Sequence, residues 1–317
     1  MKVDLPEISK QIYNQDTLDV LINKYSNIGP QWAMHQLAWT SSTYQGFRDH
    51  DKFLIIIYLT MKTLDFYSRN FIKLSYEKFY LKNTVEIEKF NVIEISKNIN
   101  IPKESARRKI AELEKTGVIK RFKKKIIIDR STFSFIKPIN SIKRMSRFLS
   151  VFSKMLVEEK ILPKSLSSEE LEKVIKDNFS YVWKLYYELQ IPMMLGYKKF
   201  FGDIETFHIF GTCIVNQHLY SQKKENIIGK SEFIKSLYDY DEMPGLNALS
   251  ISNITGIPRA TVVRKLKKLV KVKNLTIDDK KHYRMTGSFV NKLVPIQEVV
   301  LTKLSNFSTK VFNLAIL

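Results

Sequence analysis

The chain has 317 residues, 44% of them hydrophobic, with 52 Lys and Arg against 32 Asp and Glu for a formal charge of +20 at pH 7. That length accommodates two ordinary domains and that apolar content excludes wholesale disorder, while a single cysteine excludes an internal disulfide. The basic excess points to a polyanion, because clustered Lys and Arg bind nucleic acid by releasing counterions from phosphates, but a Lys-, Ile- and Asn-rich chain of the kind AT-rich codons give makes charge placement decisive.

The opening stretch MKVDLPEISKQIYNQDTLDV carries acids and no apolar signal core, and the longest apolar run, FLIIIYL at 53–59, is far shorter than the roughly 20 residues of a membrane span. A cytoplasmic, nucleoid-associated protein with no membrane partner is expected. A helical region follows. Within it, Asp49, His50 and Asp51 fit the start of a long apolar helix better than a metal site. Next comes ISKNINIPKESARRKIAEL from Ile95, then VIKRFKKKIIIDR at 118–130, which reads as two strands about a basic turn of Lys123, Lys124 and Lys125, and then a closing helix. Pro163 and a serine cluster mark a boundary, where Ser167 and Glu170 offer a capping box for the next helix.

Beyond that boundary the same parts recur in the same order. FRDHDKFLI at 47–55 lines up with FGDIETFHI at 201–209, and PQWAMHQL near Trp32 answers YVWKLYYEL near Trp183 if a short gap is allowed. ISNITGIPRATVVRKLKKL begins at Ile251, LTIDDKKHYRMT at 275–286 forms a second basic hairpin, and STFSFIKPI at 131–139 answers GSFVNKLVPI at 287–296. The chain therefore reads as an internal duplication of units 1–160 and 161–317.

In the second copy Gly256 supplies the positive φ of a tight turn and Pro258 opens the next helix, whose Val262, Leu266 and Leu269 form one buried stripe. Arg259, Thr261, Val263, Arg264 and Lys265 remain near its N-terminus, where a reading helix meets base edges and phosphates. The first copy buries Ala106, Ile110 and Leu113 and presents Lys103, Ser105, Arg107, Arg108 and Lys109, with Asn100 in place of Gly256 and Gly117 ending the helix. The hairpins add Lys280, Lys281, His282 and Arg284 to the lysine turn of the first copy. Arg108 and Arg264 occupy matching positions and fit phosphate anchoring. Lys103/Arg259 and Arg107/Val263 differ between copies and fit base choice.

These stretches resemble the winged helix-turn-helix of bacterial regulators such as the multiple-antibiotic-resistance and isocitrate-lyase regulator families. The reading-helix pattern is present as Thr261, Val262, Arg264 and Leu266, and the first copy departs from it with Ser105 and Ala106. The resemblance implies a mainly α fold with small β wings: two winged helix-turn-helix domains in tandem, at about 85–133 and 240–288, related by a pseudo-twofold and flanked by long helices. It implies double-stranded DNA as partner and transcriptional regulation as role. A single-chain pseudo-dimer would read a non-palindromic site. A replication initiator binding origin repeats is the alternative, and a protein-interaction or architectural module a third. A small-molecule effector and further homodimerisation stay open. Trp32, Trp39 and Trp183 could line an effector pocket, core packing being the commoner fate of such residues. The five histidines suggest no metal site or catalytic base, Cys213 reads as a core residue, and no Walker loop, GxGxxG or nucleophile elbow appears, so neither cofactor nor enzyme activity is expected.

Overall fold

The computed structural model describes residues 7–122, 125–132, 137–221, 227–236 and 245–317. They are mainly helical, with two small antiparallel sheets. The first half runs α1 (Asn14–Asn23), α2 (Tyr25–Phe47), α3 (His50–Arg69), a short α4 (Tyr76–Phe79), β1 (Thr84–Ile87), α5 (Val92–Asn98), α6 (Lys103–Lys115), the hairpin β2 (Ile119–Phe122) and β3 (Lys125–Asp129), and α7 (Ile139–Glu158). The second half runs α8 (Ser168–Asp177), α9 (Phe179–Phe201), α10 (Ile204–Ser221), α11 (Lys230–Ser236), α12 (Ala248–Thr255), α13 (Arg259–Lys271), the hairpin β4 (Leu275–Ile277) and β5 (Tyr283–Met285), and α14 (Gly287–Ile316).

The repeat is regular in three dimensions. Helices α8 to α11 each begin 154 residues after α1 to α4, whereas α12, α13 and β4 begin 156 residues after α5, α6 and β2. Because α2 and α9 keep one offset from first residue to last, no gap is needed, and Trp32 is not the counterpart of Trp183; Gly29 is. The first sheet has the order β1-β3-β2; in the second half, among the described residues, Leu246 makes an antiparallel bridge with Tyr283.

Local chemistry explains why the halves fold alike. Asn91 caps α5 by accepting from the Glu94 N–H at 2.7 Å, and Asn247 caps α12 from the Ser250 N–H at 2.9 Å. After α5 the chain turns through Asn100 at φ +51°, and after α12 through Gly256 at φ +71°. Each turn is closed by a serine hydroxyl donating to a carbonyl, Ser96 to Ile101 at 2.6 Å and Ser252 to Ile257 at 2.7 Å. Helices α6 and α13 end in matching left-handed residues, Gly117 and Lys273, with the next N–H returning to Leu113 and Leu269 at 2.9 Å. Gly256→Ala would bring a Cβ to ordinary contact distance, 3.5 Å from the Arg48 side chain, but at a left-handed φ. Its cost is therefore backbone strain, and urea unfolding should register about 1 kcal/mol.

Helices α6 and α13 bury Ala106, Ile110 and Leu113, and Val262, Leu266 and Leu269, as their spacing requires. Between the halves the packing is reciprocal. Helix α3 lies along α9 while α10 lies along α2; α1 lies along α14 while α8 lies along α7; and α4 meets α9 while α11 meets α2. Each half therefore receives from the other the packing it gives, the pattern of a twofold interface between identical surfaces. One core takes residues from Ile12 to Phe312 and from both halves. A smaller cluster gathers α10, α13, β4 and β5 around Phe233 and Leu266, with Tyr25 and Tyr44 of α2 completing it. Among the described residues no helix is long and apolar enough to cross a membrane.

Candidate nucleic-acid interface

The N-terminal turns of α6 and α13 each follow an extended proline, Pro102 and Pro258, which leaves their first backbone N–H groups without helical partners and turned toward any anion. On α6, Lys103, Arg107 and Arg108 are exposed and Ser105 is half-buried. On α13, Arg259 and Arg264 are exposed, with Thr261 and Val263 half-buried. These residues surround the buried stripe of each helix, with Arg108 and Arg264 opposite it.

Lys109 and Lys265 do not belong with them, and the expectation that they touch a nucleic acid is corrected. Their side chains are only 11% and 10% exposed, and their ammonium groups are already committed. The Lys109 Nζ sits on Asp49 Oδ2 and lies 3.6 Å from Asp51; the Lys265 Nζ is 2.5 Å from Asp203 and 3.9 Å from Glu205. These acids open the third helix of each half. Asp49 caps α3 by accepting from the Asp51 and Lys52 N–H groups, and Asp203 accepts from the Thr206 N–H and hydroxyl, both at 2.7 Å, at the start of α10. Burial alone would raise both carboxyls, but the lysine and these N–H donors outweigh it and hold Asp49 and Asp203 below the usual carboxylate range. The lysine thus fixes α6, and in the second half α13, to the helix whose start the acid caps. The sequence signal was present in the matched acids of FRDHDKFLI and FGDIETFHI, which read only as a helix start.

A second set of contacts crosses between halves. Lys198 of α9 donates to Asp51 at 2.7 Å and to the Ile99 carbonyl at 3.4 Å, beside the first turn. Arg48, at the end of α2, donates to the Gly256 carbonyl of the second turn at 3.0 Å. Each turn is therefore held by a cation of the opposite half.

In the hairpins, Lys123 and Lys124 lie outside the described residues. Lys125 is exposed and 3.4 Å from Glu86. Lys280 and Lys281 are exposed at the second turn. His282 and Arg284 instead lean on Asp278, at 3.6 and 3.2 Å, and are half-buried, so they brace the turn. The cations of the two halves also differ in their partners. Arg107 pairs with Glu104 at 2.7 Å, and Arg108 lies 3.9 Å from Glu112, whereas among the described residues Arg259 and Arg264 form no ion pair.

Two cavities of about 90 Å³ each lie within the helical body, lined by no residue of α6 or α13. Met193, Tyr197, Phe201 and Phe207 wall the first at the positions where Trp39, Thr43, Phe47 and Phe53 wall the second. Trp32 lines the first; Trp39 and Trp183 line the second. All three tryptophans are also core residues, as is Cys213. Among the described residues no cluster of His, Cys, Asp and Glu could hold a metal ion. Comparison of the chain with protein-family models, with curated proteins and with solved structures finds no match.

Proposed function

We propose that the chain is a sequence-specific, double-stranded DNA-binding transcriptional regulator, a single-chain pseudo-dimer of two winged helix-turn-helix units that reads a non-palindromic site. The observation that carries this reading is a helix, turn, helix and hairpin present twice, each with exposed cations on the N-terminal turn of its second helix, on halves that pack reciprocally. Dimeric regulators present two reading helices about 34 Å apart to successive major grooves. Here one chain would supply both. Since Lys103 stands where the other copy has Arg259, and Arg107 where it has Val263, the two half-sites would differ in sequence. The paired cavities within the helical body are where a small-molecule effector would act on such a regulator.

Selection of bound duplexes from a random pool tests the reading. An asymmetric consensus bound by one chain is expected; a perfect palindrome requiring two chains would overturn the pseudo-dimer, and repeated sites confined to a replication origin would assign an initiator's role. In the same assay Arg259→Ala should change which bases are preferred, by about 1 to 3 kcal/mol if the arginine forks onto a guanine. Arg264→Ala should weaken all sequences alike. An unchanged preference in the Arg259 variant would remove it from the base readers.

A further inference from the structure

The outer face of the two reading helices differs in charge along its whole length. On α13 the exposed positions 260, 264, 267, 268 and 271 form one stripe at helical spacing, occupied by Ala260, Arg264, Lys267, Lys268 and Lys271: four cations and no acid. The matching stripe of α6 holds Glu104, Arg108, Ala111, Glu112 and Lys115: two cations and two acids. The acids are engaged. Glu104 binds Arg107 at 2.7 Å, Glu112 lies 3.9 Å from Arg108 and 2.6 Å from Lys52, and Glu114 beside them takes Arg121 at 2.6 Å. Among the described residues Arg264, Lys267, Lys268 and Lys271 form no ion pair.

Resting on the DNA-binding reading above, we propose that the halves divide the work. The second half is the main electrostatic anchor, laying the α13 stripe along duplex phosphates with little regard for sequence, while Arg259 ahead of the stripe reads its own half-site. The first half, its helix neutralised by its own glutamates, engages only where base contacts compensate for displacing them. A helix with its N-terminal turn in the major groove carries its following turns past the phosphate walls, where free cations release counterions and self-paired ones release few. The asymmetry also orients the chain on its site: it lands through α13, and α6 engages only when its half-site matches.

The test is the salt dependence of the full chain's affinity for a short mixed-sequence duplex, followed by fluorescence anisotropy across potassium chloride concentrations. The triple variant K267A/K268A/K271A should lower the magnitude of the slope of log affinity against log salt by about two to three, roughly one unit for each phosphate no longer neutralised. E104Q/E112Q should move the opposite way, steepening the slope and tightening binding, a gain that misfolding cannot mimic. Equal losses from the α13 triple variant and from R107A/R108A/K115A on α6 would overturn the division of work while leaving DNA binding intact. Absence of duplex binding by the unaltered chain even at low salt would instead overturn the DNA-binding reading.

Discussion

Lowering the pH from 7 to 5 should remove about 6 kcal/mol of stability through three buried neutral histidines, with a fourth, His208, acting in the same direction. His35, His50, His208 and His218 are all among the buried residues. Burial, and then Arg144, pulls His35 down to about 3. Burial takes His50 to about 4 although Asp49 and Asp203 pull it back, and His218 to about 4. Burial and the His50 ring beside it, 5.4 Å away between centroids, put His208 well below the ordinary value. Three have one ring nitrogen on a hydroxyl, His35 on Tyr186 at 2.9 Å, His208 on Ser41 at 2.9 Å and His50 on Thr43 at 3.0 Å. In all four a further ring nitrogen is buried with no partner. An added proton would place an N–H, and a charge, where nothing accepts it.

The unfolded chain takes up these protons near pH 6.5, whereas in the folded chain His35, His50 and His218 do not until about pH 4 or below. Stability from the histidines is therefore complete above pH 6.5 and is lost as the pH falls from 6.5 toward 4. At pH 5 His35, His50 and His218 each cost about 2 kcal/mol, the product of roughly 1.5 pH units and 1.36 kcal/mol. The depressed carboxyls of Asp49 and Asp203 add nothing to this window, since their protons bind only below about 4 in either state. Urea midpoints at pH 7.5, 6.5 and 5.5 measure the effect. A midpoint that holds steady through pH 5.5 would mean that these rings accept protons in the fold, and His218→Gln should flatten the descent by one proton's share.

What the sequence made legible was local. The positive φ at Asn100, Gly117 and Gly256, the buried stripes of α6 and α13 and the capping box at Ser167 and Glu170 each depend on residues within one or two turns of each other, so composition and spacing specify them. What escaped was set by distant partners. Lys109 sits among cations on a polar helix and reads as surface, yet its acid lies 60 residues upstream; Lys265 repeats the case at 62. Both lysines are identical in the two copies, but so are the exposed Arg108 and Arg264 beside them, so identity alone did not mark burial. The reciprocal packing of α1 on α14 and α8 on α7 is likewise invisible to a periodicity, which shows that a helix has a buried face but not what covers it. Proline told the closing helices apart incompletely: Pro138 precedes α7, whereas Pro295 sits inside α14, which starts at Gly287.

Asp49→Ala should cost about 3 kcal/mol, more than an exposed carboxylate is worth, because it leaves the buried Lys109 only Asp51, 3.6 Å away and shared with Lys198. The same change removes the N-cap of α3, a loss of about 1 kcal/mol by itself. Asp49→Asn separates the two effects, since its carbonyl oxygen still caps the helix but no longer neutralises the lysine. The double variant D49N/K109M should recover much of the loss, as replacing both members of a buried pair costs less than orphaning one. The second half should tolerate the matching change better. The Asp203 side chain is 41% exposed against 26% for Asp49, while each lysine keeps a second carboxylate, Asp51 at 3.6 Å from Lys109 and Glu205 at 3.9 Å from Lys265, so exposure is what separates the halves. Urea unfolding reads all four variants, and equal costs for Asp49→Ala and Asp203→Ala would show that burial does not set the size of the effect. Duplex affinity adds a second readout. If Lys109 orients α6 for reading, D49N/K109M should restore stability yet leave sequence discrimination weakened, because a methionine fills the space without fixing the helix to α3; full recovery of both would reduce the ion pair to packing alone.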